Sequence, residues 1–359
     1  MSAERIVIYI MALFAALGAL DRIFGNRFGL GKEFEDGIQT MGALALAMIG
    51  VICLAPALAN VLKPVVVPVY AFLGADPAMF AGTILACDMG GGSLALELTE
   101  NVQAAYLGGV ITGSMLGATI VFTIPIVMGM LSREDQAFAA KGILAGIVTI
   151  PVGVFVGGLV AGFPVVMVAK NLIPIVIIAA LIALGLWRAE KAMIRGFVIF
   201  GKIIVILITV GLAAGIVEGL TGLQLVPGLA PIEEGFQTVG AIAIVLAGAF
   251  PLVFVLTRLL RKPLMKLGGL LGINDVAAAG MIATLANSIA TFGIVKEMDD
   301  RGKVVNVAFA VSAAFVFGDH LGFTAGFAPE MLPAVIVGKL AGGICAIVIA
   351  LLLTRKKVQ

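Results

Sequence analysis

Two short stretches hold the residue types that could do chemistry in this chain. GDHLGF (318–323) places Asp319 beside His320, the one histidine among 359 residues. CDMGGG (87–92) sets Asp88 just ahead of Gly90, Gly91 and Gly92, inside an otherwise apolar run. A carboxylate can balance a cation. An imidazole changes charge near neutral pH, so it can relay a proton, and when neutral it can also hydrogen-bond a hydroxyl. Both uses of His320 stay open on the residues alone. What decides the weight of these groups is the solvent around them, and that follows from the segments that carry them.

Hydrophobic residues make up 61% of the chain and charged ones 12%, with a mean hydropathy of +1.18. Soluble domains carry about a quarter charged residues. Residues 37–62 and 142–169 contain no charge at all, and a run of about 20 such residues spans the hydrocarbon core. The chain therefore reads as an all-α polytopic membrane protein. The apolar N-terminal stretch lacks a small-residue cleavage site, so it reads as a retained helix. Cys53, Cys87 and Cys345 lie in separate segments without metal-ligand spacing, so neither a metal nor another cofactor is expected. The net charge of +2 is scattered over short loops and offers nucleic acid no patch.

The chain also repeats itself. EDGIQTMGA (35–43) matches EEGFQTVGA (233–241) at a constant offset of 198. Colinear matches follow: LGAD (73–76) with LGIN (271–274), FAGTILACD (80–88) with AAGMIATLAN (278–287), and Gly117 with Gly318. Lys and Arg mark cytoplasmic loops. They put 22–36, 132–141, 188–195, 258–266, 296–303 and the tail Arg355, Lys356, Lys357 inside, with the acidic 218–235 and 97–101 outside. Spans near 5–21, 38–62, 102–131, 140–163, 165–187, 196–217, 236–258, 303–325 and 332–354 satisfy this pattern. That gives about nine full spans, with a cytoplasmic C-terminus. Two further segments, 76–98 and 276–298, are interrupted at mid-length; they either re-enter or cross as broken helices, making eleven. The expected organisation is two inverted-topology repeats, 1–163 and 191–359, joined by a linker helix, 164–190.

Irregular backbone at membrane depth is tolerated only inside protein or along a cavity. Inverted repeats with interrupted helices are a recurring design of secondary transporters. Asp88, costly at that depth, is expected to face the cavity; a pair with Lys170 that merely locks two helices is the structural alternative. Its repeat partner is Asn287, while Asp319 and His320 correspond to Ala118 and Thr119. Asp88, Asn287, Asp319 and His320 are thus the expected substrate-binding groups, with the repeat-related Gln39 and Gln237 as further candidates and Gly90, Gly91 and Gly92 as the hinge of the first tip. An intramembrane enzyme is disfavoured, since the chain has one histidine, no Cys/His cluster and no Ser/His or Ser/Lys pair on a common segment. An anionic cargo would call for Arg or Lys at depth, where only Lys170 and Lys202 come close.

GALALAMIG, PAMFAGTILACDMGG, GILAGIVTIPVG, AAGMIATLAN, MDDRGKVVNVAFAVSAAF and GDHLGF together resemble the ethanolamine permease family of bacterial ethanolamine utilisation. The resemblance runs end to end. It implies a multi-pass protein of the bacterial inner membrane that moves ethanolamine, a small aminoalcohol mostly cationic at neutral pH. Asp88 would balance the ammonium, and Asn287 and His320 would contact the hydroxyl. The alternative is a proton-coupled carrier of another small amine or metabolite with an Asp/His relay. Where the family tends to read Asn-Asn-Ile-Pro, this chain has Asn287-Ser288-Ile289-Ala290, and the loop before PIEEG is shorter. Oligomeric state stays open, with a homodimer as one option.

Overall fold

A computed structural model describes residues 3–354; the basic tail Arg355, Lys356 and Lys357 lies outside the described residues. Helices account for nearly all of them, and no strand occurs among them. In chain order the helices are α1 (Ala3–Ile23), α2 (Leu30–Phe72), α3 (Ala81–Ile84), α4 (Gly91–Leu98), α5 (Val102–Ala105), α6 (Ile124–Met130), α7 (Arg133–Ile147) and α8 (Ile150–Val160). There follow α9 (Val165–Thr221), α10 (Ile232–Leu271), α11 (Asp275–Ala286), α12 (Ser288–Gly293), α13 (Asp300–Ala313), α14 (Asp319–Phe327) and α15 (Leu332–Leu353). Seven stretches among the described residues are helical, long and apolar enough to cross a membrane. Their outward faces carry exposed Leu13, Leu46, Leu181, Ile203 and Leu220, a surface suited to lipid and not to water.

The count of seven differs from the nine expected spans at two places. The spans 165–187 and 196–217 are both present, as the two arms of α9, which meet at a kink at Ala189 (φ −141°, ψ 46°) with no loop between them and so run as one stretch. A side chain at Gly185 would touch Met193, eight residues on, which a straight helix would hold about 12 Å away; α9 is therefore sharply bent there. The expected span 303–325 is broken into α13 and α14 by the turn at 314–318. Conversely, 64–72 and 263–271 extend α2 and α10 beyond the bilayer-sized core. At 1.5 Å per residue the 43-residue α2 is about 65 Å long.

Both interrupted segments fold as hairpins. In the first, Thr99 Oγ1 donates to the Asp76 carboxylate at 3.0 Å, tying the two ends together. In the second, the Asn274 N–H donates to Asp299 Oδ1 at 2.8 Å and its Nδ2 to the Glu297 carbonyl at 3.0 Å. The hairpins open toward opposite ends of the bundle. The Asp76 N–H donates to Asn171 near the start of α9, whereas Arg301, beside the second hairpin, donates to carbonyls of Leu271 and Thr354. The span Arg133–Val160 lies between these ends: its first turn is tied to α13 by the Asp135–Lys303 ion pair at 2.7 Å, and its last precedes α9 directly.

The stretch Val102–Met130 is the most enclosed of the seven, and Tyr106–Gly117 and Thr119–Thr123 within it are π-helical. Such geometry is rare and occurs often at functional sites. It presents Gly117 to the Leu85 carbonyl of the first hairpin so closely that no Cβ fits, and Gly318 meets the Ala286 carbonyl of the second in the same way. On the other side of the core, α2 packs against α10. A side chain at Gly37 would strike Leu246 and Ala247, and one at Gly235 would strike Ile49.

Candidate functional site

The tip of the first hairpin owes its shape to the sequence LACDMGG. Leu85 and Ala86 leave α3 in extended backbone (φ −128° and −65°), Cys87–Met89 make a single 3-10 turn, and Gly90 reverses the chain at φ +91°. A residue with a Cβ is disfavoured in that left-handed region. The Gly91 N–H then closes the loop on the Ala86 carbonyl at 2.9 Å, and at Gly92 a side chain would meet the rings of Phe323 and Phe327. Asp88 is thereby held on an irregular turn among packed helices.

Opposite it stands the break between α13 and α14. Phe315 adopts φ +61°, strained for a residue of its size. Its N–H donates to the Thr284 carbonyl at 3.1 Å and the Phe317 N–H to the Leu285 carbonyl at 2.9 Å. The second hairpin thus satisfies the backbone that the broken helix leaves free, as any polar group at that depth requires. The break ends at Gly318 and starts α14 with Asp319 in its first turn, where the positive end of the helix dipole favours a carboxylate.

These two irregular pieces bring Asp88, Asp319 and His320 together. His320 Nε2 lies 3.6 Å from Asp88 Oδ1, with the Asp88 side chain 16% exposed and the histidine 4%. The histidine is enclosed and the carboxylate still reaches space. That space is a cavity of about 40 Å³ lined by Ala86, Asp88, Met89, Ala118, Phe122, Phe315, Asp319 and His320. A single water needs about 10–15 Å³ on the same measure, so the cavity suits a molecule of a few heavy atoms. Its aromatic wall stacks in sequence: Phe122 lies edge-on to Phe315 at 5.4 Å, and Phe315 lies 5.4 Å from the His320 ring.

Behind the histidine is a residue that the sequence reading did not single out. Lys339 of α15 is 1% exposed. Its Nζ donates to the Ser114 carbonyl and sits 3.0 Å from His320 Nδ1. The buried row therefore runs Lys339, His320, Asp88. The signal was present: one lysine inside LPAVIVGKLAGG, uncharged on both sides, is as costly at depth as Asp88. Lys170, the partner weighed for Asp88, is exposed, as is Lys202.

The other expected groups lie elsewhere. Asn287 is exposed, and its Oδ1 accepts the Ile289 N–H at 2.9 Å, capping α12. Gln39 is exposed and donates to Glu35 at 3.0 Å; Gln237 is exposed too. Ala118 lines the cavity opposite Asp319, its repeat counterpart, and the Thr119 hydroxyl donates to Val311 O at 3.0 Å across the same interface. Cys87, Asp88 and His320 offer ligand atoms within 4.8 Å of one another, but Lys339 engages the second ring nitrogen and brings a like charge beside any metal ion. A larger cavity of about 600 Å³, between α2, the first hairpin and both arms of α9, is lined by apolar side chains plus Tyr70 and Thr83, with no charged group to hold an ion.

The buried cluster sets two carboxyl groups against one amine, so with all three ionised and His320 neutral it carries an excess of negative charge. The arrangement suits a small organic cation: carboxylates for an ammonium, phenyl faces beside it, and an imidazole for a second polar group.

The family model described as "Ethanolamine utilisation protein, EutH" matches residues 3–353. A protein of Listeria monocytogenes named "Probable ethanolamine permease EutH" is 58% identical over 359 residues, covering 100% of this chain and 96% of the relative. One of the same name from Salmonella typhimurium is 50% identical, over 99% of this chain and 97% of its own. An uncharacterized protein of Bacillus subtilis, YxeR, is 49% identical over 96% and 94%. No solved structure matches.

Proposed function

Because this chain belongs to the EutH family of ethanolamine utilisation proteins, we propose that it carries ethanolamine across the bacterial cytoplasmic membrane, binding it as a monocation between Asp88 and Asp319. The observation that carries this reading is the small cavity walled by those two carboxylates, two phenyl rings and His320. Ethanolammonium has three N–H donors at one end and a hydroxyl at the other. A carboxylate–ammonium contact out of water is a charge-assisted bond, roughly twice as strong as a neutral one. The site binds and releases; it is assigned no bond-making step.

The carrier is built, in this reading, from two inverted repeats, residues 1–163 and 191–359, with 164–190 as linker. Reciprocal contacts support it. Gly37 meets Ala247 and Gly235 meets Ile49; applying the sequence offset of 198 to the first contact yields the second, and its sense is antiparallel. Gly117 on Leu85 and Gly318 on Ala286 are likewise related by one shift. The elbow of α9 at Ala189 falls at the end of the linker. The Asp135–Lys303 pair joins the starts of α7 and α13, whose basic residues favour the cytoplasmic side for both, and in this reading the C-terminus is cytoplasmic too.

A second reading, proton-coupled uptake, is favoured by the row Lys339, His320, Asp88. Uptake of labelled ethanolamine into proteoliposomes, with and without an imposed proton gradient, separates the two. Saturable uptake that ignores the gradient supports a facilitator, and acceleration by the gradient supports coupling. No uptake in either condition overturns both.

A further inference from the structure

Lys339 does not line the cavity; it acts on it from behind, through His320. A lysine ammonium has donors only, and a neutral imidazole has one donor and one acceptor nitrogen. With Lys339 charged, its Nζ donates to the Ser114 carbonyl and to His320 Nδ1. The ring proton must then sit on Nε2, the nitrogen that faces the cavity and Asp88. Which nitrogen of a histidine carries the proton is set by the bond that the other one makes.

We propose that Lys339 is a specificity-determining positioning residue: by fixing His320 as an Nε2–H donor, it makes the site accept a hydroxyl and reject a second ammonium. The inference rests on the reading of the cavity as an ethanolamine site. A hydroxyl oxygen accepts from Nε2–H. An ammonium in the same place sets donor against donor and adds a like charge behind the ring. Among the described residues, His320 is faced by Asp88 and Cys87 from the hairpin tip, Asp319 from its own helix, Lys339 from α15 and the Phe315 ring from the break, while the Ser114 carbonyl of the π-helical stretch holds Lys339. Only the carboxylates could welcome a second cation, and they are engaged by the first.

Ethylenediamine is the discriminating probe, since it differs from ethanolamine only by an amine in place of the hydroxyl. It is a dication in mild acid and mostly a monocation in mild base. In wild-type proteoliposomes at about pH 6, it should compete with labelled ethanolamine at least about tenfold more weakly than unlabelled ethanolamine does, because a site built around one hydrogen-bond pattern rejects its mismatch strongly. At about pH 9 the gap should narrow severalfold, since the neutral amine can accept from Nε2–H. The variant Lys339→Met frees Nδ1 and removes the like charge, so ethylenediamine should compete nearly as well as ethanolamine at both pH values. This preference ratio would not move if Lys339 only held helices together. Equal competition by the two amines in the wild type at about pH 6, or an unchanged preference in an active Lys339→Met, overturns the inference. Wild-type protein that takes up no ethanolamine overturns instead the reading on which it rests. Should Lys339→Met fail to fold, the ring 15N shifts of wild-type His320, the one histidine in the chain, decide: a proton on Nε2 supports the inference, and a proton on Nδ1 overturns it.

Discussion

Among the described residues the nearest basic group to Asp88 is the His320 ring at 3.6 Å, and Lys339 reaches that ring from its other side. Asp88 borders the cavity and keeps some exposure, so it can take an external charge. Asp88→Asn keeps the shape and removes the charge, and should raise the ethanolamine concentration for half-maximal uptake by about 10–100-fold, the worth of one charge-assisted bond. His320→Gln retains an N–H donor and should cost less than His320→Ala in the same assay; equal losses would argue against a hydrogen-bonding role for the ring. Asp88, Asp319 and His320 were legible because a charge or sole imidazole in apolar surroundings stands out. Lys339 follows the same logic and was passed over inside a span that read as ordinary. Asn287 was placed by repeat register, which carries backbone position over but not side-chain direction: its amide caps α12.

At the scale of elements, the site exists because two irregular segments satisfy each other. The hairpins were visible as interruptions, and their tied ends identify them as hairpins rather than through-going helices. The break at 314–318 was not visible, since VSAAFVFGDH carries no proline and one glycine, and its cause is tertiary: the Thr284 and Leu285 carbonyls draw the Phe315 and Phe317 N–H groups out of helical pairing. Replacing Gly117 by Val should drive a side chain into the Leu85 carbonyl. Overpacking of that kind costs about 1–3 kcal/mol, to be read as a lowered melting temperature in detergent. Thr99→Val removes the tie to Asp76 and the bond that Thr99 Oγ1 accepts from the Asn101 N–H, and should cost about 1–2 kcal/mol, with the cavity intact and uptake retained at reduced temperature. If Thr99→Val were as damaging as Gly117→Val, the hairpin would be held by its ends and not by its tip.

For the whole molecule, the reciprocal contacts of α2 and α10 and the opposite openings of the hairpins support the proposed body of two similar halves facing opposite ways. A carrier of that design rocks around a central site. The loops 24–29 and 222–231 precede α2 and α10, the matched helices of the two halves. Arg27→Cys and Gln224→Cys should therefore react with a membrane-impermeant thiol reagent from opposite sides of the membrane, the first from the cytoplasm; labelling of both from one side would contradict inverted repeats. Composition alone made the membrane assignment legible, and the charged stretch 188–195 marked the turn between the two arms of α9; what it hid is that the turn is a kink at Ala189 and not a loop, RAEKAMIR holding no glycine or proline.

The central claim is that ethanolamine crosses this protein by binding at Asp88, and uptake of labelled ethanolamine into proteoliposomes holding wild type or Asp88→Asn, matched for protein inserted, tests it most directly. Saturable uptake is expected of the wild type and, at substrate concentrations below its half-saturation, almost none of the variant. Wild-type uptake no faster than in protein-free vesicles, or an Asp88→Asn variant as fast as wild type, would contradict it.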